Sequence, residues 1–246
     1  MLGVEAAWRA GAGMVRYLGP DRPTALVLAR RPETVTTPGR VQAWVIGSGT
    51  DAAERTDAET SALRELLAGS MPVVVDAGAL ALAVGASAPR IVTPHAREHD
   101  RLRAELGLPA VPAGSDDAER EASALQTAGA LGATVLLKGA VTIVADPDGW
   151  SARVESGTPW LATAGTGDVL AGAMGAVLAG ASGAEGRLTA RLGAIAATAA
   201  WLHGRAGSIA ADAAGAPNAQ GPITALDVAA QLPRAVAEAL AARAER

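Results

Sequence analysis

The sequence predicts an α/β fold with a mostly parallel central sheet, helices on both faces of that sheet and a helical C-terminal third. Short runs rich in Val, Ile and Leu alternate with helical patterns along most of the chain, which is typical of a parallel sheet covered on both faces. After about Thr166 the chain reads as helix alone. With 246 residues, of which 50% are hydrophobic, the chain can bury one sizeable core, so residues 1–246 are predicted to form a single domain.

Each strand is predicted from a short run of β-branched and aliphatic residues. The predicted strands are Val41–Ile46, Val73–Asp76, Arg90–Thr93, Thr134–Leu137 and Val141–Ala145. The segments between them repeat apolar residues at helical spacing. The predicted helices in these segments are Asp51–Ala68, Ala77–Val84, Arg97–Leu106 and Asp116–Leu131.

The C-terminal third follows the same helical pattern. Its predicted helices are Gly167–Leu178, Ala184–Ala206 and Thr224–Ala242. Thr224 and Asp227 have the spacing of a capping box, and Pro233 is expected to kink or break the last helix. Two segments rich in Pro, Gly, Ser and Asp are predicted to be surface loops, namely Pro109–Ser115 and Asp212–Pro222.

Composition excludes several function classes. A formal net charge of −4 and a pI near 5.4 argue against a general nucleic-acid surface or an anionic-membrane surface. The absence of Cys excludes disulfides, thiolate metal sites and a Cys nucleophile. The sequence opens without a basic and apolar leader, and its apolar stretches are shorter than a membrane span, so we expect a cytoplasmic protein.

A glycine-rich run, Thr163–Gly172, places a turn directly before an apolar helix and a carboxylate in the first helical turn. A helix start offers unpaired N–H groups and the positive end of a dipole, so Ala164, Gly165 and Thr166 are predicted to form an anion-binding turn. Asp168 would face the reacting group as a base. The alternative is an ordinary capping turn, since Thr and Asp are common where helices begin.

Lys138 is the only lysine among 21 basic residues. A compact ammonium group on a flexible stem contacts phosphate as a point charge, which suggests a role that Arg does not fill. Lys138 also lies between two predicted strands, so the alternative is a hairpin with a chance lysine.

The histidines allow other interpretations. His95 and His99 flank Glu98 in the H-x-x-E-H pattern of zinc peptidases, which requires a helix running through both imidazoles. The preceding Thr93-Pro94 instead places His95 in a loop or at a helix start. His203 is predicted to cap the end of a helix.

Two familiar nucleotide-binding motifs are missing. The sequence contains neither G-x-x-x-x-G-K-[ST] nor a G-x-G-x-x-G run after a strand, which excludes a P-loop enzyme and argues against a Rossmann dehydrogenase. A nicotinamide ligand would therefore be a substrate. Ligands of open α/β sheets lie beyond the carboxyl ends of the strands. The predicted segments there are Gly47–Gly49, Asp76, Thr93–His95 and the turn before Asp168.

Several motifs together resemble the NAD(P)H-hydrate dehydratase family in order and approximate spacing. They are Asp76–Leu80 (DAGAL), Thr93–Glu98 (TPHARE), Lys138–Thr142 (KGAVT), Leu161–Gly172 (LATAGTGDVLAG) and His203–Gly207 (HGRAG). The similarity extends from Ala6–Gly13 to Ile223–Pro233. It implies a ribokinase-like three-layer fold and an enzyme that uses ADP, or ATP in eukaryotic relatives, to restore NADH or NADPH from the hydrated cofactor.

The resemblance also implies a set of site residues. Asp168 would be the catalytic carboxylate and a substrate contact, and Gly49 and His95 would be further substrate contacts. The implied nucleotide site consists of Lys138, Gly139, Ala140, Val141, Thr142 and Gly167. Glu98 would organise Mg²⁺ through water, because hard oxygen ligands suit that ion.

The chain departs from the family pattern at three places. Gly78 replaces a second Asp, Ala96-Arg97 replaces a Pro-Gly pair, and Met1 falls inside the first helix of the family. The first strand of the sheet is therefore expected to be missing, which would expose a sheet edge.

Two other function classes stay open from the residues alone. A small-molecule kinase of the same fold would share the anion turn and the carboxylate but release a stable phosphorylated product. A nucleotide-binding remnant would bind ADP without turnover. For the dehydratase, the expected partners are hydrated NADH or NADPH, ADP, further copies of the chain in a homo-oligomer, and an epimerase, fused or separate.

Overall fold

The computed structural model describes residues 1–183, 188, 191–216 and 218–244. Within these residues, six strands form one sheet in the order of the chain. They are β1 (Trp44–Ile46), β2 (Val73–Val75), β3 (Arg90–Val92), β4 (Thr134–Leu137), β5 (Thr142–Ala145) and β6 (Ser151–Val154). Strands β1 to β4 are parallel, and β5 and β6 continue the sheet as antiparallel strands.

Eight α-helices are described around this sheet. They are α1 (Leu2–Arg9), α2 (Asp21–Arg30), α3 (Asp57–Ala68), α4 (Ala96–Glu105), α5 (Asp117–Leu131), α6 (Thr166–Ala181), α7 (Leu192–Ala214) and α8 (Ala225–Ala244). Short 3₁₀ segments occupy Ala52–Glu54, Ala77–Ala83 and Pro159–Leu161.

The alternation of side chains along β2 shows why helices cover both faces of the sheet. Val73 and Val75 pack into a core that includes Leu67 of α3 and Leu131 of α5. Val74 points to the opposite face, into a core formed with residues of α6 and α7. A strand buried on both faces reads as a continuous apolar run, which is why three successive valines predict it. This confirms the three-layer α/β fold.

The Ala-rich C-terminal helices form a third apolar cluster with α1. Val169 of α6, Leu202 of α7 and Leu232 of α8 are buried together there. Pro233 lies inside α8, so the predicted break is wrong. An interior proline costs about 3 kcal/mol, and the burial of α8 against its neighbours offsets that cost.

Other element boundaries differ from the predictions. Strand β6 and helix α2 were missed, and the predicted Ala77–Val84 helix is a 3₁₀ segment. Helix α7 continues to Ala214, where a loop was predicted from Asp212. Within the predicted Ala184–Ala206 helix, residues 184–187 and 189–190 lie outside the described residues, as does Pro217 of the predicted Asp212–Pro222 loop. No helix in the described part of the chain has the length and apolarity of a membrane span.

Close packing of α1 on α6 fixes the position of the α6 start. A Cβ atom on Gly172 would overlap the backbone of Gly3, and one on Gly3 would lie 3.3 Å from the Asp168 carbonyl oxygen. The two helices therefore touch through their backbones. This contact places the first residues of α1 beside the first turn of α6.

We expect Gly172→Ala to destabilise the protein by about 1–3 kcal/mol, because its methyl group must displace the α1 backbone. Gly180→Ala is the matched control: Gly180 lies in the same helix, and no described atom outside the neighbouring helix backbone lies within 4 Å of its Cβ position. That change should stabilise the protein by about 0.5–1 kcal/mol through helix propensity. Urea unfolding of both variants measures the difference; equal effects would contradict the packing account.

Candidate active site

The predicted site segments meet at the carboxyl ends of the parallel strands. The Gly47–Gly49 turn follows β1, Asp76 follows β2, His95 follows β3 and Lys138 follows β4. The Lys138 N–H donates to the Pro94 carbonyl oxygen at 2.8 Å, which extends the pairing of β3 with β4 beyond their last residues. The sheet thus holds these side chains at one edge, as an open parallel sheet predicts.

Helix α6 begins at this edge with a glycine in the left-handed conformation. Gly165 is the N-cap residue with a φ of 87°, a value that side-chain-bearing residues rarely adopt. The hydroxyl of Thr166 lies 2.7 Å from the Leu161 carbonyl oxygen and 2.8 Å from that of Thr163, which fixes the turn before the helix. One predicted anion donor is engaged within this turn, since the Thr166 N–H donates to the Thr163 oxygen at 3.4 Å.

Asp168 is the third residue of α6, and its carboxylate faces the Gly47–Gly49 turn. The Ser48 hydroxyl donates to Asp168 Oδ1 at 2.5 Å. A Cβ on Gly49 would lie 3.8 Å from the same oxygen, so the structure brings Gly49 and Asp168 together. Gly47 has a φ of 86°, and a Cβ there would overlap the Asp76 carbonyl oxygen.

Lys138 lies between two carboxylates and the start of α6. Its Nζ is 3.0 Å from Asp76 Oδ1 and 3.7 Å from Glu98 Oε2. A Cβ on Gly167 would lie 3.7 Å from the same Nζ. The lysine does stand in a hairpin, between β4 and β5, but its ammonium group reaches into the site. Residue type alone does not reveal the pairing with Asp76, which spans 62 positions in the sequence.

Asp76 is a buried carboxylate, and the sequence predicted its position at the end of a strand but gave it no role. It is 3% exposed and also accepts a hydrogen bond from the Thr93 hydroxyl at 2.6 Å. It forms an ion pair with the partly buried Lys138, and a buried carboxylate needs such a partner. The following residue, Ala77, has a φ of 42°, a strained conformation for a residue with a side chain.

His95 and Glu98 cap helix α4 as a reciprocal pair. The Glu98 N–H donates to His95 Nδ1 at 3.3 Å, and the His95 N–H donates to Glu98 Oε2 at 2.8 Å. His95 is exposed, whereas His99 is buried and lies 2.9 Å from the Thr127 hydroxyl. The helix begins after His95, so the two imidazoles do not share the helical face that the zinc-peptidase pattern requires.

Of the predicted nucleotide residues, Lys138, Gly139, Ala140 and Val141 form the turn between β4 and β5, and Thr142 is the first residue of β5. An arginine that sequence reasoning missed covers this turn. Arg120 of α5 donates to the Val141 carbonyl oxygen at 3.1 Å and to Asp117 Oδ1 at 2.6 Å, and its guanidinium group occupies the Cβ position of Gly139. A second cation therefore lies against the predicted nucleotide turn.

His203 contacts the first turn of α6 through the Thr166 carbonyl oxygen. It lies within α7 and is buried, so its prediction as a helix-terminal cap is wrong. Burial lowers the pKa of His203 to about 4, and the ring is neutral at pH 7. Its Nε2 lies 2.9 Å from the Thr166 carbonyl oxygen and must carry the proton there, because a carbonyl only accepts.

The carboxylates beside Lys138 fit a magnesium ion that is held mainly by phosphate. Mg²⁺ usually keeps several waters and is bound by one or two carboxylates together with substrate phosphates. Glu98 and Asp76 supply carboxylates of that kind. Within the ranges that the structure describes, no group of three or more His, Cys, Asp or Glu side chains is placed to hold a metal alone.

The chain has a ribokinase-like fold: a mostly parallel sheet lies between two helical layers, and a carboxylate stands on the first turn of a glycine-capped helix. The solved structure of hydroxyethylthiazole kinase from Pyrococcus horikoshii shares this fold, with a TM-score of 0.60 and 19% identity over 94% of this chain and 92% of that chain.

Sequence comparison gives the family. The family model for NAD(P)H-hydrate dehydratase matches residues 1–228, so the chain belongs to that family. It is 45% identical over 179 residues to the bifunctional NAD(P)H-hydrate repair enzyme Nnr of Mycobacterium tuberculosis strain H37Rv. That match covers 68% of this chain and 35% of the relative, so the chain spans about a third of the length of such relatives.

The fold also matches crystal structures within the family. One is the ADP/ATP-dependent NAD(P)H-hydrate dehydratase of Bacillus subtilis, co-crystallised with ATP and Mg²⁺. The TM-score is 0.78 with 25% identity, over 96% of this chain and 83% of that chain.

Two buried histidines predict how stability depends on pH. Burial lowers the pKa of His99, like that of His203, to about 4. The unfolded chain binds these protons near pH 6.5, so stability falls as the pH drops from 6.5 towards 4, by about 1.4 kcal/mol per pH unit for each histidine at mid-window.

His99→Gln should reduce this slope by about 1.4 kcal/mol per pH unit, which is the contribution of one histidine. Thr127 donates its hydroxyl proton to the Ser123 carbonyl oxygen, so His99 must donate to Thr127, and a glutamine amide can do the same. Urea midpoints between pH 5 and 6.5, for both proteins, measure the slope. An unchanged slope in the variant would contradict the buried neutral state of His99.

Proposed function

We propose that this chain catalyses the ADP-dependent dehydration of hydrated NADH and NADPH, which restores the reduced cofactors as a metabolite repair reaction. One observation carries the proposal: Asp168 stands at the glycine-capped start of α6 against the Gly47–Gly49 turn, and Lys138 lies beside the preceding residue, Gly167. A phosphate and a hydroxyl group can both approach such a carboxylate. The names of the matched relatives support the same chemistry for this chain.

The reaction proceeds in two steps. Asp168 accepts the proton of the C6 hydroxyl, whose oxygen attacks the terminal phosphorus of ADP, and AMP leaves. The lone pair of the ring nitrogen then expels the new phosphate ester by breaking the C6–O bond, and loss of a proton from C5 restores the double bond. The products are NADH or NADPH, AMP and inorganic phosphate.

The start of α6 stabilises the charge on the transferring phosphate. The N–H groups of Ala164, Gly165, Thr166 and Gly167 are the proposed donors, and the unpaired ones are preorganised by the helix start. Removing one such donor costs about 3 kcal/mol in other enzymes. Lys138 contributes a positive charge next to Gly167, and its contacts with Asp76 and Glu98 keep it in place before nucleotide binds.

The remaining roles follow from position in the site. Gly49 leaves room beside Asp168 for the substrate, and the exposed His95 can contact its ring. The Lys138–Thr142 turn would hold the nucleotide, with ATP as an alternative to ADP. Glu98 would hold Mg²⁺ through water, and the ion would supply charge neutralisation to the phosphates.

Partners and location stay predictions. Relatives named bifunctional carry a second activity, and we propose that an epimerase works with this chain, either fused to it or separate. A homo-oligomer, a cytoplasmic location and the single-domain organisation of residues 1–246 are likewise expected.

Incubation with ADP and hydrated NADH tests the proposal, because recovery of the reduced-nicotinamide absorbance reports dehydration. A stable phosphorylated product without recovery would indicate a small-molecule kinase. A thermal shift with ADP and no turnover would indicate a nucleotide-binding remnant.

In the same assay, we expect Asp168→Asn to lose at least about 100-fold in kcat while keeping its affinity for ADP, because the change removes the base with little change in size. Nucleotide affinity is measured by titration calorimetry. Arg234→Ala, at an exposed residue of α8 paired with Glu238, serves as the control and should keep full activity. Wild-type turnover in the Asn variant would contradict the assignment of Asp168.

A further inference from the structure

Ser48 makes a side-chain contact with the proposed catalytic base. Its hydroxyl donates to Asp168 Oδ1 at 2.5 Å, within the range of strong hydrogen bonds to a carboxylate. We infer that Ser48 is a positioning residue that fixes the Asp168 carboxylate, occupying Oδ1 and leaving Oδ2 to take the proton of the substrate hydroxyl. The effect of Ser48 on catalysis rests on the proposed function of Asp168. The positioning of the carboxylate rests on the hydrogen bond alone.

The chain builds the Gly47–Gly49 turn so that Ser48 points at α6. Gly47 packs where a side chain would overlap the Asp76 carbonyl oxygen and the Ala79 methyl group. The Thr50 hydroxyl and N–H both donate to the Gly47 carbonyl oxygen, at 2.9 and 3.2 Å, and close the turn. Ser48 is partly buried between its two glycine neighbours. The turn is therefore held from both sides before any ligand binds.

The two oxygens of Asp168 face different surroundings. Oδ1 lies against Ser48 and 3.8 Å from the Cβ position of Gly49, whereas Oδ2 lies 4.0 Å from the Cβ position of Gly165. Oδ2 thus faces the glycine turn where the transferring phosphate is proposed to bind. A carboxylate held through one oxygen keeps the lone pairs of the other in a fixed direction, which favours proton transfer in one geometry.

The charged groups around Asp168 do not replace this contact. Lys138 Nζ lies 3.7 Å from the Cβ position of Gly167, the residue before Asp168, and is paired with Asp76 and Glu98. His203 of α7 is neutral and is engaged with the Thr166 carbonyl oxygen. Ser48 is a neutral donor, so it orients the carboxylate without cancelling its charge. A hydrogen bond of this kind stabilises the ionised form that a base requires.

Ser48→Ala tests the inference in the dehydratase assay. We expect kcat to fall by about 10- to 100-fold, as for a misplaced catalytic group, while KM for ADP stays within about twofold of wild type. Ser48→Thr keeps a hydroxyl and should recover most of kcat. A wild-type kcat in Ser48→Ala would overturn the inference.

Thr50→Ala is the matched control, since it removes the other hydroxyl of the turn without touching Asp168. It should lower kcat less than Ser48→Ala does. An equal loss of kcat in both variants would show that Ser48 only shapes the turn, which would overturn the inference.

A measurement without turnover separates this inference from the proposed function. Carbon-13 NMR of Asp-labelled protein follows the Asp168 carboxyl group, assigned through Asp168→Asn. At pH 7 its chemical shift should change in Ser48→Ala, because the carboxylate loses its donor, and an unchanged chemical shift would overturn the inference. If wild type restores no NADH while the chemical shift still changes, the proposed function fails and the positioning of Asp168 by Ser48 stands.

Discussion

The site depends on one constraint: α6 must begin at the carboxyl edge of the sheet. The backbone contact between Gly3 and Gly172 sets how close α1 lies to α6, and the left-handed Gly165 starts the helix. Both features are satisfied by glycine because a side chain would collide or adopt a strained conformation. The unpaired N–H groups and Asp168 then lie opposite the turns that follow β1 and β4.

The cation at this edge is held in place before a ligand arrives. Lys138 lies against Asp76 and Glu98, and His203 stays neutral beneath the helix start. A phosphate that reaches Lys138 meets an ammonium group already held in place, so little rearrangement is needed. The same packing that excludes water from Asp76 therefore preorganises the anion site.

The features that the sequence predicted correctly are those that depend on a local pattern of residues. Three valines gave β2, and the glycine-rich run located Asp168 at a helix start. Strand β6 was missed because Ser151–Val154 is an edge strand without a continuous apolar run. Ser48 was missed as a contact of Asp168 because the two residues are 120 positions apart, and Arg120 because its partner Val141 offers only a backbone oxygen. Such contacts follow from the tertiary arrangement rather than from residue type.

The central claim is that Asp168 directs the substrate hydroxyl to phosphorus before the C6–O bond breaks. Hydrated NADH carrying ¹⁸O in its C6 hydroxyl tests this most directly. The account predicts that the labelled oxygen leaves in inorganic phosphate, which mass spectrometry of the released phosphate detects. Unlabelled phosphate together with labelled water, at normal turnover, would contradict phosphoryl transfer to the hydroxyl and with it the role given to Asp168.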